Sequence, residues 1–213
     1  MAEATHENSD TTSQDGPREH AVTTDEPGLS GMLFKDLAAI FAGLSLWAAA
    51  DTWYQVTGLW LAQVVAMGDA VLVGLLLAAL FHEWGHYAGA KAAGAHAPRI
   101  TTKKLSFFRY NFDFSVNDLR QFHWMTYGGH VGHWGILLLL LVMLPLDSLG
   151  RITLVSAIFG FVIFASVIEY NVVKDTMAGA DPKTRLQGIT AKDFQQAQVI
   201  GGLAGIFALA ALS

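Results

Sequence analysis

Long apolar stretches constrain this chain before any other feature does. About 20 mostly apolar residues suffice to cross the hydrocarbon core of a bilayer as a helix. Five such stretches follow one another between polar clusters, at about 36–57, 59–90, 126–146, 151–174 and 196–213. Asp51 and Gln55 interrupt the first, and the last reaches the C-terminus with little length to spare, so four to six spans is the range. A backbone in lipid must satisfy its own hydrogen bonds, which favours helices. At 53% hydrophobic and 15% charged, the 213 residues are too apolar for an ordinary soluble domain. The expected fold class is an all-α polytopic membrane protein with about five transmembrane helices. Residues 1–30, rich in Glu, Asp, Thr, Ser and His and without an apolar run, are expected to form a disordered polar tail. Residues 31–213 show no repeat or linker and read as one membrane-embedded domain.

Charge distribution orients the spans, because cytoplasmic loops carry the excess of Lys and Arg. With a cytoplasmic N-terminus and five alternating spans, all of the 13 Lys and Arg residues except Arg151 fall on one face. The expected location is therefore a multi-pass position with the N-terminus cytoplasmic, in a bacterial inner membrane. A formal net charge of −5 and the lack of a basic face exclude nucleic acid as a partner.

The chain has no cysteine, so a metal would have to be held by His, Asp or Glu. His82-Glu83-Trp84-Gly85-His86 supplies a suitable pattern. On a helix, His82 and His86 stand one turn apart on the same face, where both imidazoles can reach one ion, with Glu83 beside them. That arrangement suits zinc hydrolysis: two His and a third protein ligand leave a position for water, whose proton the carboxylate removes. The apolar run 71–81 leads straight into this segment, and ionisable groups at membrane depth are functional candidates by default. His6 and His20 fall in the tail and are left out of the site, and His96 and His123 are expected to be interfacial.

The stretch HEWGHYAGAKAAGA, residues 82–95, resembles the signature of the site-2 protease family of intramembrane metalloproteases. Tyr127-Gly128-Gly129-His130-Val131-Gly132-His133-Trp134 is similar to that family's Gly-Gly-Pro element, whose small residues let one helix pack tightly on the metal helix. Here His130 stands in place of the usual Pro, and His133 where the family often has Asn. The resemblance covers about residues 59–175 and implies a third metal ligand after an Asn and a Pro-containing stretch, in an Asp-Gly that the corresponding region of this chain lacks. Glu169-Tyr170-Asn171-Val172-Val173-Lys174-Asp175 is the corresponding region, and Asp175, one turn beyond Asn171, is the first choice of ligand; Asp181 is second and Glu169 third. His130 and His133 could ligate, stabilise an oxyanion or bond the backbone, and Asn171 could steady substrate. The expected depth of the second span's end, the third's start and the fourth's end brings His82, His86, His130, His133 and Asp175 together independently of family.

The leading functional expectation is a zinc endopeptidase that cleaves a membrane protein substrate in or near a transmembrane segment, as in regulated intramembrane proteolysis, with Glu83 catalytic. A regulatory membrane partner could control access. The alternative is a membrane di-iron oxygenase or desaturase using the histidine clusters. Residues 110–115, Tyr-Asn-Phe-Asp-Phe-Ser, alternate with period two and predict a small β-strand element near the active site. Such an edge could pair with an unwound substrate.

Overall fold

A computed structural model describes residues 28–100 and 107–213. Its helices are α1 (Leu29–Thr57), α2 (Trp60–Ala92), α3 (Leu119–Met143), α4 (Leu149–Met177), α5 (Pro182–Gln187) and α6 (Ala191–Leu212). All but the short α5 are long and apolar enough to cross a membrane. Each overlaps one of the five expected stretches, so the chain is a helical multi-pass membrane protein. Most of the expected polar tail, residues 1–27, lies outside the described residues, and α1 already begins at Leu29.

Capping sets the helix ends. Asp118 accepts from the Gln121 N–H at 2.7 Å while Gln121 Oε1 accepts from the Asp118 N–H at 2.8 Å. This reciprocal box starts α3 several residues ahead of its apolar stretch. Asp181 caps α5 by accepting from Thr184 N at 2.8 Å, with Pro182 in the first turn. Those bonds to Thr184 hold the Asp181 carboxyl below its ordinary range.

Glycine decides how α2 meets α3. A Cβ on Gly85 would overlap the Gly128 carbonyl, one on Gly89 the Trp124 carbonyl, and one on Gly132 the Phe81 carbonyl. The two backbones touch, which only small residues permit. One apolar cluster, built around Trp47, Val73, Leu77, Leu137, Leu154 and Ile158, packs α1, α2, α3 and α4 together. A second, at the opposite end of the bundle, joins Tyr87, Phe108, Phe112, Phe122, Met125 and Val172. Phe34, Leu72, Val142, Leu203 and Phe207 are among many large apolar side chains left exposed, as expected of a lipid-facing surface.

The expected small β-strand element does not form. Among the described residues there is no strand, only an isolated antiparallel bridge between Arg99 and Tyr110. Ile100 N donates to Arg109 O, Asn111 N to Pro98 O and Asp113 N to His96 O, so the segments do run antiparallel. The ladder stops there because Pro98 has no N–H to return to Asn111. The N–H of His96 donates instead to Asn117 Oδ1, at 2.8 Å. The period-two alternation serves packing: Phe112 is buried, and Tyr110 and Phe114 lie against the same aromatic cluster. Asp113 points the other way and accepts from Ser115 N and Oγ, bonds that lower its carboxyl pKa.

One buried carboxylate is paired across helices. Asp51, 3% exposed, accepts from Ser148 Oγ at 2.6 Å and Arg151 Nε at 3.0 Å, tying α1 to the start of α4. Arg151, the one cation assigned to the opposite face, is thus neutralised by Asp51 and Asp147.

Gly128→Val should disrupt the α2–α3 contact, because its branched side chain would meet the Gly85 backbone. Overpacking costs about 1–3 kcal/mol, and an obstacle made of backbone puts the loss at the upper end. Gly135→Val, on the same helix but facing open space, should cost little. Thermal melting in detergent checks the pair: a large drop is expected for Gly128→Val alone.

Candidate metal centre

α2 presents His82 and His86 on one face, with their Nε2 atoms 3.0 Å apart. Glu169 of α4 places Oε1 at 3.0 Å from each of them. These three residues form the one group among the described residues whose donor atoms converge as metal ligands would. Two ring nitrogens and a carboxylate oxygen facing one another inside an apolar bundle call for a cation, or a shared proton, between them. The dimensions fit an ion. An equilateral triangle with 3.0 Å sides has its centre about 1.7 Å from each corner, short enough that the three atoms together could make the bonds of about 2.0–2.2 Å usual for imidazole and carboxylate. Two His and one carboxylate leave a further position for water or substrate.

The outer contacts favour Nε2 ligation. Nδ1 of His86 lies 2.9 Å from the Met125 carbonyl, which can only accept, so that ring carries its proton on Nδ1 and its lone pair on Nε2. Gly129 makes room for this ring, since a Cβ there would run into it. The close α2–α3 approach and the orientation of the His86 ring are therefore one feature.

Comparison of the chain with protein-family models, with curated proteins and with solved structures gives no match.

The third corner differs from the first choice made on sequence. Asp175 faces away from the two histidines and accepts from Arg185 Nε at 2.6 Å. Six residues separate it from Glu169, a rotation of about 240° on a helix and a rise of about 9 Å. Depth shows why Glu169 is the residue that meets them. His82 and His86 stand ten and six residues before the end of α2 at Ala92; Glu169 stands eight before the end of α4 at Met177, and Asp175 only two. Counting inward from the helix ends is a signal that sequence holds, though the family-like spacing after Asn171 points elsewhere. Asp181 is taken up by its cap on α5.

A cavity of about 410 Å³ opens on the group, lined by His82, Glu83, His86 and Glu169 with apolar neighbours such as Phe161, Ala165 and Ile168. Glu83 is exposed to it and free to meet whatever enters. Tyr110 lies outside the membrane-spanning segments, and burial, reinforced by Glu83 and Glu169, pushes its phenol up, so it remains an O–H donor. His130 and His133 reach the group from behind. His133 Nδ1 is 2.9 Å from His82 Nδ1 and His130 Nε2 is 3.0 Å from Glu169 Oε2, yet neither residue lines the cavity. Asn171 is turned out, donating to the Val167 carbonyl at 3.1 Å. His123 Nε2 contacts Thr176 Oγ1 at 3.0 Å and joins α3 to the end of α4, whereas the His96 side chain is exposed near Asp113.

Metal content of the purified protein should follow this geometry. Glu169→Ala and His86→Ala should lower metal affinity by more than the 10–100-fold typical of losing an outer partner, while Asp175→Ala should keep it. Mass-spectrometric metal analysis after equilibrium dialysis checks this; metal retained by Glu169→Ala and lost by Asp175→Ala would restore the Asp175 assignment.

Proposed function

We propose that this protein is a membrane-embedded zinc endopeptidase, similar in mechanism to the site-2 proteases its motifs resemble, acting on a transmembrane segment of another membrane protein. The observation that carries the reading is Glu83 opening on the same cavity as the His82, His86 and Glu169 group. A zinc ion held by those three would polarise a carbonyl and acidify water. The chain's own residues supply the remainder. Glu83 Oε takes the proton from the attacking water and later hands it to the leaving amide nitrogen. The phenyl rings of Phe161 and Phe164 limit bulk water around the reacting bond.

The apolar surroundings favour a membrane-embedded substrate. A groove of about 520 Å³ runs between α2, α4 and α6, lined by Val71, Leu75, Gly160, Gly201, Gly202 and Gly205 among others. It shares Phe161 and Phe164 with the metal cavity, so those rings stand between lipid-level surface and metal group. The charge asymmetry supports a cytoplasmic N-terminus, with the site towards the cytoplasmic side.

The alternative of a di-iron oxygenase receives less support, since one three-donor group converges among the described residues. Two His and a carboxylate would also suit a single iron(II), which makes metal identity a measurement worth taking with activity.

With the protein in proteoliposomes and a panel of single-span transmembrane peptides, the zinc-loaded wild type should cleave at least one. Glu83→Gln keeps the shape but cannot accept a proton, so it should bind zinc normally and cleave on the order of a hundredfold or more slower. Equal rates for the two proteins, or iron as the sole metal bound, would end the peptidase reading. Gly202, with open space beside it, offers a test of the groove. Gly202→Phe should leave zinc content unchanged and raise KM for the embedded peptide.

A further inference from the structure

His130 and His133 touch the metal group without facing the cavity, and the hydrogen-bond partners available to them define a direction. If the metal occupies Nε2 of His82, as the convergence on Glu169 Oε1 requires, the proton of that ring sits on Nδ1. His86 gives its Nδ1 proton to a carbonyl. His82 has no carbonyl there. Its Nδ1 meets the Nδ1 of a third imidazole, His133, at 2.9 Å. With His82 donating, His133 must accept at Nδ1 and carry its own proton on Nε2. That nitrogen faces His130 Nδ1 at 3.4 Å, the longest of these contacts. His130 must then accept at Nδ1 and hold its proton on Nε2, 3.0 Å from Glu169 Oε2. Oε2 is buried and makes no hydrogen bond as placed, so the 3.0 Å contact needs only a turn of the His130 ring to bring its proton to the one oxygen of the group that lacks a donor.

We infer that His133 and His130 are positioning residues that form a one-way relay, His82 to His133 to His130 to Glu169, coupling the tautomer of one metal ligand to the orientation of another. The inference rests on the reading that His82, His86 and Glu169 hold the metal. Imidazole is suited to the middle of such a chain because it accepts on one nitrogen and donates on the other, whereas a carboxylate only accepts and a Lys or Arg only donates. Outer partners of this kind fix ligand tautomer and orientation and typically change metal affinity 10–100-fold when removed. His133 is 0% exposed, so it cannot meet substrate, and bonding between its two neighbours is the role its surroundings leave it.

Equilibrium zinc binding and the visible spectrum of the cobalt(II)-substituted full chain test the relay without any substrate. His133→Met keeps bulk but neither accepts nor donates strongly, and should weaken zinc binding about 10–100-fold and shift the cobalt bands. His133→Gln accepts at its oxygen and donates at its nitrogen, and should recover most of the affinity. His130→Met should resemble His133→Met, and the double variant should be no weaker than the worse single, because the links act in series. A wild type that binds metal while His133→Met binds equally well would overturn the relay. So would His133→Gln binding as weakly as His133→Met, or single losses that multiply in the double variant. A wild type whose zinc is unaffected by losing His82, His86 or Glu169 would instead overturn the metal group on which the relay rests.

Discussion

The contact of the α2 backbone with the α3 backbone is the constraint on which the rest depends. Gly85 and Gly89 on one helix, and Gly128, Gly129 and Gly132 on the other, remove every Cβ that would hold the axes apart. In lipid there is little hydrophobic drive to press two helices together, and close packing of small residues takes its place. Close approach lets the Met125 carbonyl reach His86 and lets His133 reach His82. A looser crossing would leave the rings of His82 and His86 free to turn.

Polar groups in this bundle are arranged by depth and partner. At one end Asp51, Ser148 and Arg151 join α1 to α4 in a buried cluster. Towards the other, Asp36 of α1 accepts from Trp84 Nε1 at 3.0 Å and from the Phe108 N–H at 3.1 Å. Trp84 also stacks on Phe108 with ring centres 3.8 Å apart. One carboxylate therefore fastens α1, α2 and the loop beyond it. Between these two polar ties lie the histidines and Glu169, where carboxylate and imidazole compensate each other in surroundings that would penalise either alone.

That same placement joins the site to lipid-level surface. Phe161 and Phe164 form a wall common to the cavity and the groove between α2, α4 and α6. At the floor of that groove Gly160 faces Gly201 and Gly205, so α4 and α6 also meet through glycine. Small residues thus shape both the crossing that carries the histidines and the apolar groove beside it.

Hydropathy located the membrane-length helices and bounded their number at four to six, since a 20-residue apolar run has few other ways to satisfy its backbone, and charge distribution favoured five. Helical periodicity likewise put His82, Glu83 and His86 on one face, a relation internal to one helix. The glycine pattern in 128–132 pointed to tight packing, and counting from helix ends pointed to a shared depth. Tertiary structure decided what depends on two elements at once. Whether Glu169 or Asp175 meets the histidines turns on the rotation of α4 against α2, which local spacing does not specify, and Arg185 on the separate α5 claims Asp175. Whether 110–115 becomes a strand turns on its partner, and Pro98 and Asn117 leave that partner without the donors a ladder needs. The positions of His130 and His133 behind His82 and Glu169, outside the cavity, follow from the same crossing: a side chain's face along its own helix is written in sequence, but what stands opposite it is set by packing.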